Sequence, residues 1–267
     1  MAREKFSLVV ITFNNANTLE RCLAAADFAD EIVVLDSGST DATVEIARRH
    51  GARVATHPFD DYGPQKQRAI DMASHDWILN LDADEILSPG THAVIERALE
   101  NPRAAGFRLP RRERMFWSVQ HPWSHRNGHL RLFDRRRGRM NAVPVHAAVE
   151  VDGPVETLKR ADFVNMGDDD IAARADKINR YSSGMVADKL ARKQRFSGPM
   201  MLVYPPIFFV RQYIFKRYFL SGWAGFIASV LGAHYVFLKY AKLHEARRSA
   251  SAHPPAPSAR PPSSRRG

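Results

Sequence analysis

Over the first hundred positions, unbroken apolar runs rich in β-branched residues alternate with stretches of helical spacing. Leu8-Val9-Val10-Ile11 and Ile32-Val33-Val34-Leu35 contain no polar residue, the pattern of strands buried on both faces. Between them, a stretch opening at Asn17-Thr18 has apolar positions at Leu19, Leu23 and Ala26, one face of a helix. The second run ends in the turn cluster Asp36-Ser37-Gly38-Ser39-Thr40-Asp41, whose last residues suit capping of a helix over residues 43–50. Arg53-Val54-Ala55 predicts a short third strand, residues 65–73 a helix, and Trp77-Ile78-Leu79-Asn80-Leu81 a fourth strand. Strands and helices alternating at this spacing predict an α/β, Rossmann-like parallel sheet. Ligands bind such sheets beyond the carboxyl ends of the strands, so the polar residues just after each run carry the candidate chemistry.

Further along, the pattern changes twice. Residues 103–139 hold 11 Arg and two acids, Glu113 and Asp134, with Phe116, Trp117, Trp123 and Phe133 interleaved. A β-like stretch covers residues 143–151, and Asp168-Asp169-Asp170 precedes a helical pattern through Ile171, Ala175, Ile178, Tyr181 and Met185, where acids suit the helix start. From Lys189 to His244 there are nine Lys/Arg and no acid, and residues 204–240 carry twelve Phe/Tyr/Trp. Residues 218–238 lack charge altogether, a length close to one membrane span, yet Ser221, Gly222, Gly225, Ser229, Gly232 and His234 dilute them. Aromatics flanked by Lys/Arg suit membrane-surface or re-entrant helices; a true span and a buried core helix are the alternatives. The last 21 residues, with five Pro, five Ser and five Arg and no large apolar side chain, predict a disordered basic tail over 247–267.

Composition narrows the class. A chain of 267 residues with 45% hydrophobic and 25% charged residues is globular and excludes wholesale disorder or a repeat array. The one cysteine, Cys22, excludes a disulfide scaffold or a Cys-rich zinc site and fits a reducing compartment. The start, Met-Ala-Arg-Glu-Lys-Phe, has no signal-peptide core, so a cytosolic location is expected. The net charge of +10 is unevenly spread: residues 1–102 hold 9 Lys/Arg against 17 Asp/Glu, and residues 103–267 hold 30 against 12. Such asymmetry points the second half toward an anionic partner.

The strongest chemical signal is Leu79-Asn80-Leu81-Asp82-Ala83-Asp84-Glu85. A buried strand ending in carboxylates at i and i+2, projected to one side by extended geometry, suits Mg²⁺ or Mn²⁺ bridging a diphosphate. A capping turn before a helix near residues 90–99 is the plainer alternative. Thr12-Phe13-Asn14-Asn15 and the 36–41 cluster offer hydroxyls, carboxylates and turn amides to a nucleotide, while neither Gly-x-Gly-x-x-Gly nor a Walker loop is present.

Together, Val9-Val10-Ile11-Thr12-Phe13-Asn14, Val34-Leu35-Asp36-Ser37-Gly38-Ser39-Thr40-Asp41 and Leu81-Asp82-Ala83-Asp84-Glu85 resemble glycosyltransferase family 2. Gly63-Pro64-Gln65-Lys66-Gln67, residues 75–85 and Arg131-Leu132-Phe133 resemble its lipopolysaccharide-core β-1,4-glucosyltransferase branch, over about residues 6–243. The resemblance implies a GT-A fold, a nucleoside-diphosphate sugar donor such as UDP-glucose, and a divalent metal. By motif match Asp36 contacts the base, Asp41 supports its loop, Asp82 faces the ribose or sugar and Asp84 ligates the metal. Thr12, Asn14, Lys66 and Arg131 line the nucleotide-sugar site. The family inverts at the anomeric carbon, so an acceptor hydroxyl attacks with help from a general base.

Here the chain departs from the pattern. Related sequences place Val-His-Glu after the arginine-rich region, and this one has Val145-His146-Ala147-Ala148-Val149-Glu150. A strand there would set His146, Ala148, Glu150 and Asp152 on one face, making Glu150 a candidate base and His146 a candidate base, metal ligand or leaving-group contact. The arginines suit the diphosphate and an anionic acceptor, or a single-stranded nucleic acid, with a solvated loop on the membrane surface as the plainer reading. The first is favoured and no nucleic acid is expected. The implied organisation is a GT-A domain over 1–165, with a nucleotide-sugar half (6–102) and an acceptor half (103–165). A helical membrane-associating segment (166–246) and the tail follow. The implied activity is sugar transfer to a lipid-linked anionic glycan, by a protein peripheral or monotopic on the inner face of the cell membrane. A non-catalytic binding module and a sugar-phosphate nucleotidyltransferase are the competing readings.

Overall fold

The computed structural model describes residues 3–141, 147–167, 170–191 and 198–252, and the chain divides into two compact units, residues 1–169 and 170–267. In the first unit the apolar runs become β1 (Phe6–Thr12), β2 (Glu31–Asp36), β3 (Arg53–Thr56) and β4 (Trp77–Asp82). They are joined by α1 (Ala16–Ala24), α2 (Thr43–Arg49) and α3 (Tyr62–Met72). All four strands are parallel, in the order β3-β2-β1-β4. Leu8, Val10, Leu79 and Leu81 pack against Leu19, Cys22 and Leu23 of α1, while Val9, Val33 and Ile78 pack against Ala69 and Ile70 of α3. Successive residues of one strand thus feed two cores, which is why no polar alternation marks them. Helix α3 starts three residues before the expected position, because the Asp61 carboxylate accepts the Tyr62 N–H (2.6 Å) and Pro64 sits in the first turn.

Beyond β4 the sheet becomes mixed. The chain runs through β5 (Glu85–Leu87), α4 (Thr91–Leu99), β6 (Gly106–Met115), β7 (Ser118–Val119), β8 (Gly128–Asp134) and β9 (Gly138–Met140). It then forms β10 (Val149–Val151), β11 (Val155–Thr157) and β12 (Phe163–Asn165). Strand β8 joins β4 and β6 joins β8, both antiparallel, while β11 and β12 join β6 in parallel. Strand β5 pairs antiparallel with β12 and completes the order β3-β2-β1-β4-β8-β6-β12-β5. The arginine-rich stretch is therefore largely β6 and β8, not a solvated loop. Several of its guanidinium groups are consumed by carboxylates: Arg111 by Glu113 (2.6 Å), Arg136 by Asp134 (2.7 Å), and Arg126 by Asp162. Of the stretch expected at 143–151, Val149–Val151 is strand, paired antiparallel to β9, and residues 142–146 lie outside the described residues.

The second unit is helical: α5 (Ile171–Ala191), α6 (Met200–Val210), a π-turn (Arg211–Phe215), a 3₁₀ turn (Tyr218–Ser221) and α7 (Gly222–Ala252). The Asp170 carboxylate accepts the Ala173 N–H (2.6 Å), as expected of an acid at a helix start; Asp168 and Asp169 lie outside the described residues. Helix α7 packs against α5 and α6. Its Lys242 Nζ donates to Asn179 O (2.8 Å) and Ser182 Oγ (2.9 Å), and Gly232 admits the Phe208 ring, which a Cβ there would meet at 2.6 Å. Residues 218–249 are long and apolar enough to cross a membrane by length and composition, and 22% of their most apolar window is buried, too little for a core helix. Helix α7 runs to Ala252, six residues into the segment expected to be disordered, because Arg, Ser and Ala continue a helix until the first proline at 254. Residues 253–267 lie outside the described residues.

Candidate active site

The loops after β1 and β2 are stitched together at the carboxyl edge of the sheet. Asn14 N–H donates to Ser39 Oγ (2.8 Å), Thr40 N–H to Asn14 Oδ1 (2.9 Å), and Asn15 N–H to Thr43 Oγ1 (2.8 Å). Asn14 holds a φ of +52°, which asparagine tolerates better than most residues. Thr12, buried at the end of β1, donates to Asn15 Oδ1 (3.1 Å). Asp36 is 1% exposed and accepts the Gly38 and Ser39 N–H groups (2.9 and 2.8 Å), with Gly38 at φ +92° closing the turn. Asp41 accepts the N–H groups of Thr43 (3.0 Å) and Ala16 (3.2 Å), so one carboxylate fastens the starts of α1 and α2. The Thr43 hydroxyl and these amides hold its carboxyl below the usual range. Gln65 of α3, fully buried, ties in a third element through Ser37 Oγ (3.1 Å) and His57 O (3.0 Å).

The second cluster lies where β4 ends. Asp82 sits between Lys66 Nζ of α3 and Arg131 Nη2 of β8 (3.0 Å), and Arg131 also donates to Glu85. Glu85 has no exposure and accepts the Asp82 N–H (3.1 Å). Burial raises the Asp82 carboxyl, but Arg131 and Lys66 override it and hold the group well below the carboxylate range. Burial and the neighbouring Asp82 charge push Glu85 up against the opposing pull of Arg131. Strand geometry ends at Asp82, and residues 83–84 form a turn. The expected extended i, i+2 projection is therefore replaced by a strand end and a turn position. No cap is made here either, since β5 intervenes before α4. Asp84 accepts from Asn165 Nδ2 (3.2 Å), and its carbonyl accepts the Met166 N–H (2.8 Å). Burial, then the Asp82 charge, raises its carboxyl. Beneath them Cys22, fully buried on α1, donates to the Asp82 carbonyl (3.6 Å), and burial pushes its thiol far up.

The candidate residues thus fall into two connected groups. Thr12, Asn14, Asp36 and Asp41 build the stitched loops; Lys66, Asp82, Arg131 and Asp84 build the charged cluster. Arg131 is buried beneath Asp82 and Glu85 instead of lying open to a ligand. Asp84 is the carboxylate of the cluster whose side-chain partner is an amide and not a cation. A carboxylate oxygen of this kind suits a hard divalent ion; among the described residues no group of three His, Cys, Asp or Glu is gathered to hold a metal by protein ligands alone. Glu150 is exposed on β10 and accepts from Asn141 Nδ2 (3.0 Å); no hydrogen bond or ion pair among the described residues joins it to the carboxylates of β4. Ala147 faces α3, where a Cβ on Gly63 would meet it at 3.4 Å. His146 lies outside the described residues. Glu85, Gln65 and Asn165 carry the site without having been singled out: Glu85 stood inside the quoted motif, and Asn165 had no signal.

Parallel strands with polar loops at one edge, a mixed extension and an acidic strand end are the GT-A arrangement, and the chain is a glycosyltransferase. Residues 7–152 match Glycosyl transferase family 2, and the protein belongs to that family. The lipopolysaccharide core biosynthesis glycosyltransferase LpsC of Rhizobium meliloti is 28% identical over 249 residues, covering 90% of this chain and 92% of its own. An uncharacterized glycosyltransferase of Rickettsia typhi is 28% identical over 263 residues, covering 91% and 87%. Among solved structures, glucosyl-3-phosphoglycerate synthase from Mycobacterium tuberculosis in complex with Mn²⁺, UDP and phosphoglyceric acid is 25% identical, with a TM-score of 0.34 over 42% of this chain and 44% of that one.

Proposed function

We propose that the protein transfers a sugar, with inversion, from a nucleoside-diphosphate sugar, UDP-glucose foremost, to a lipid-linked anionic glycan of the lipopolysaccharide-core kind. The observation that carries this reading is Asp84, a half-buried carboxylate raised by its surroundings and left without a cation partner beside the fully paired Asp82. The stitched loops of Asp36 and Asp41 receive the base and ribose, with Thr12 and Asn14 on the same rim. Lys66 and Arg131 fix Asp82 toward the sugar. Asp84 holds the divalent ion, Mg²⁺ or Mn²⁺, which when bound neutralises charge on the departing diphosphate. The acceptor oxygen bonds to the anomeric carbon as the bond to the diphosphate breaks, and the hydroxyl proton passes to a base, for which Glu150 and His146 are the candidates. The acceptor class rests on LpsC and on the basic second half of the chain.

The helical unit supplies the address. Leu202, Phe215 and Trp223 are exposed at 76, 74 and 75%, an unusual outlay of large apolar surface for a water-facing unit. This supports a peripheral or monotopic seat on the inner face of the cell membrane. The deciding experiment is calorimetric titration of UDP with and without Mn²⁺ on the full chain and on Asp84→Asn. Binding that needs Mn²⁺ in the wild type and is lost at least tenfold in the variant is expected. No metal-dependent binding of any nucleoside diphosphate would overturn the donor reading.

A further inference from the structure

The turn that carries Asp84 is clasped by β12 at two points. Met166 donates its N–H to the Asp84 carbonyl (2.8 Å), and Asn165 Nδ2 donates to Asp84 Oδ2 (3.2 Å). Strand β12 reaches this turn because it pairs with β5, which begins at the next residue, Glu85. In that ladder Asn165 lies between Glu85 of β5 and Glu113 of β6, its register partners on either side. Register partners place their side chains on one face of the sheet. Asn165 therefore stands in a row with two acids while its amide holds a third.

That row explains the residue type. A lysine or arginine at 165 would be drawn to the three carboxyl groups and would neutralise Asp84, as Lys66 and Arg131 neutralise Asp82. An aspartate would add a fourth carboxyl and bring no donor. An amide donates without carrying charge, so it fixes a carboxylate and leaves the negative charge for a ligand. The amide is itself oriented. Asn165 Oδ1 accepts the Gly167 N–H (3.2 Å), which turns Nδ2 toward Asp84. Gly167 makes room for this arrangement, since a Cβ there would meet Asn165 Oδ1 at 3.0 Å. Main-chain groups pair β12 with β5 and β6, so the fold does not need the Asn165 side chain.

We propose, resting on the reading of Asp84 as the metal donor, that Asn165 is the positioning residue of the metal site. Its amide sets the orientation of the Asp84 carboxylate and keeps it anionic for the divalent ion, which Asn165 itself does not touch. Replacing residues that hold a metal's ligands in this way typically costs about 10–100-fold in metal affinity. The test is calorimetric titration of the full chain with UDP over a range of Mn²⁺ concentrations, beside urea unfolding of the same samples. In Asn165→Ala the Mn²⁺ concentration that half-saturates UDP binding should rise about 10- to 100-fold. UDP affinity at saturating Mn²⁺ should stay within about threefold, and the urea midpoint should move little. Asn165→Asp, equal in shape but without the donor, should lose at least as much as the alanine variant. Gly167→Ala displaces the Asn165 oxygen and leaves Asp84 in place, so it should cost three- to tenfold, and it serves where a substitution at 165 does not fold. Asn165→Asp binding Mn²⁺ as well as the wild type would make position 165 a ligand and overturn the positioning role. So would an Mn²⁺ requirement within twofold of wild type in Asn165→Ala, or a loss that saturating Mn²⁺ does not restore, the mark of a general structural defect. A wild type without Mn²⁺-dependent UDP binding would instead remove the reading of Asp84, and the role of Asn165 with it.

Discussion

Arg131 is shared by two carboxylates, Asp82 and Glu85, and so decides whether the end of β4 is a stable charged cluster. Arg131→Met leaves Glu85 buried without a cation, and a buried charge stripped of its partner costs about 3–5 kcal/mol. Urea unfolding should show that loss, and a change under about 1 kcal/mol would mean that Glu85 is neutral in the fold. Asp84→Asn has the opposite signature. It removes a carboxylate that burial and Asp82 already disfavour, so stability should hold or rise while metal-dependent UDP binding disappears. Asp36, Asp82 and Asp84 were legible in the sequence because an acid directly after an apolar run needs a reason to be there. Glu85 and Asn165 were not: Glu85 acts through Arg131 of β8, 46 residues on, and Asn165 reaches Asp84 only once β12 pairs with β5 and brings residues 80 positions apart into register.

Strand β2 begins on a polar clasp whose effect on stability is set by pH. Glu31 accepts from Ser7 Oγ of β1 (2.6 Å), Ser74 N–H and Oγ before β4 (2.7 and 2.8 Å), and Arg53 of β3 (2.8 Å). Burial alone would raise its carboxyl, but these donors lower it from 4.5 to about 2. The unfolded chain therefore binds the proton first. The clasp contributes in full above pH 4.5, and its contribution is lost as pH falls toward 2. Allowing for solvent around Arg53, the contribution is roughly 2 kcal/mol. Glu31→Gln should lower stability by about that amount at pH 7 and flatten the decline between pH 4.5 and 2, as read by urea midpoints across pH. An unaltered decline would place the acid sensitivity elsewhere. The parallel strands were legible because each carries its own two-faced apolar signature. The second half of the sheet was hidden: β6 is written in arginines, Arg108, Arg111, Arg112 and Arg114, and the partners of Arg131 on β8, Asp82 and Glu85, come from a distant part of the chain.

For the molecule as a whole, the apolar exposure of the helical unit is what supports the proposed membrane seat. Replacing Leu202, Phe215 and Trp223 together by serine removes three side chains with little part in packing, so helicity should be kept. Flotation with vesicles containing anionic phospholipid should fall at least fivefold, and unchanged flotation would count against this anchor. The same reasoning was available from composition, but the break between α6 and α7, a π-turn followed by a 3₁₀ turn, depends on local geometry that hydropathy does not encode. One buried atom also makes the fold self-reporting. Cys22 is the chain's single cysteine, sealed between α1 and the Asp82 carbonyl. A maleimide therefore finds nothing to modify until α1 lifts from the end of β4. The pace of labelling is a built-in clock for the opening of that edge, with no dye or tag to be engineered, and a nucleotide that clamps the edge should slow it.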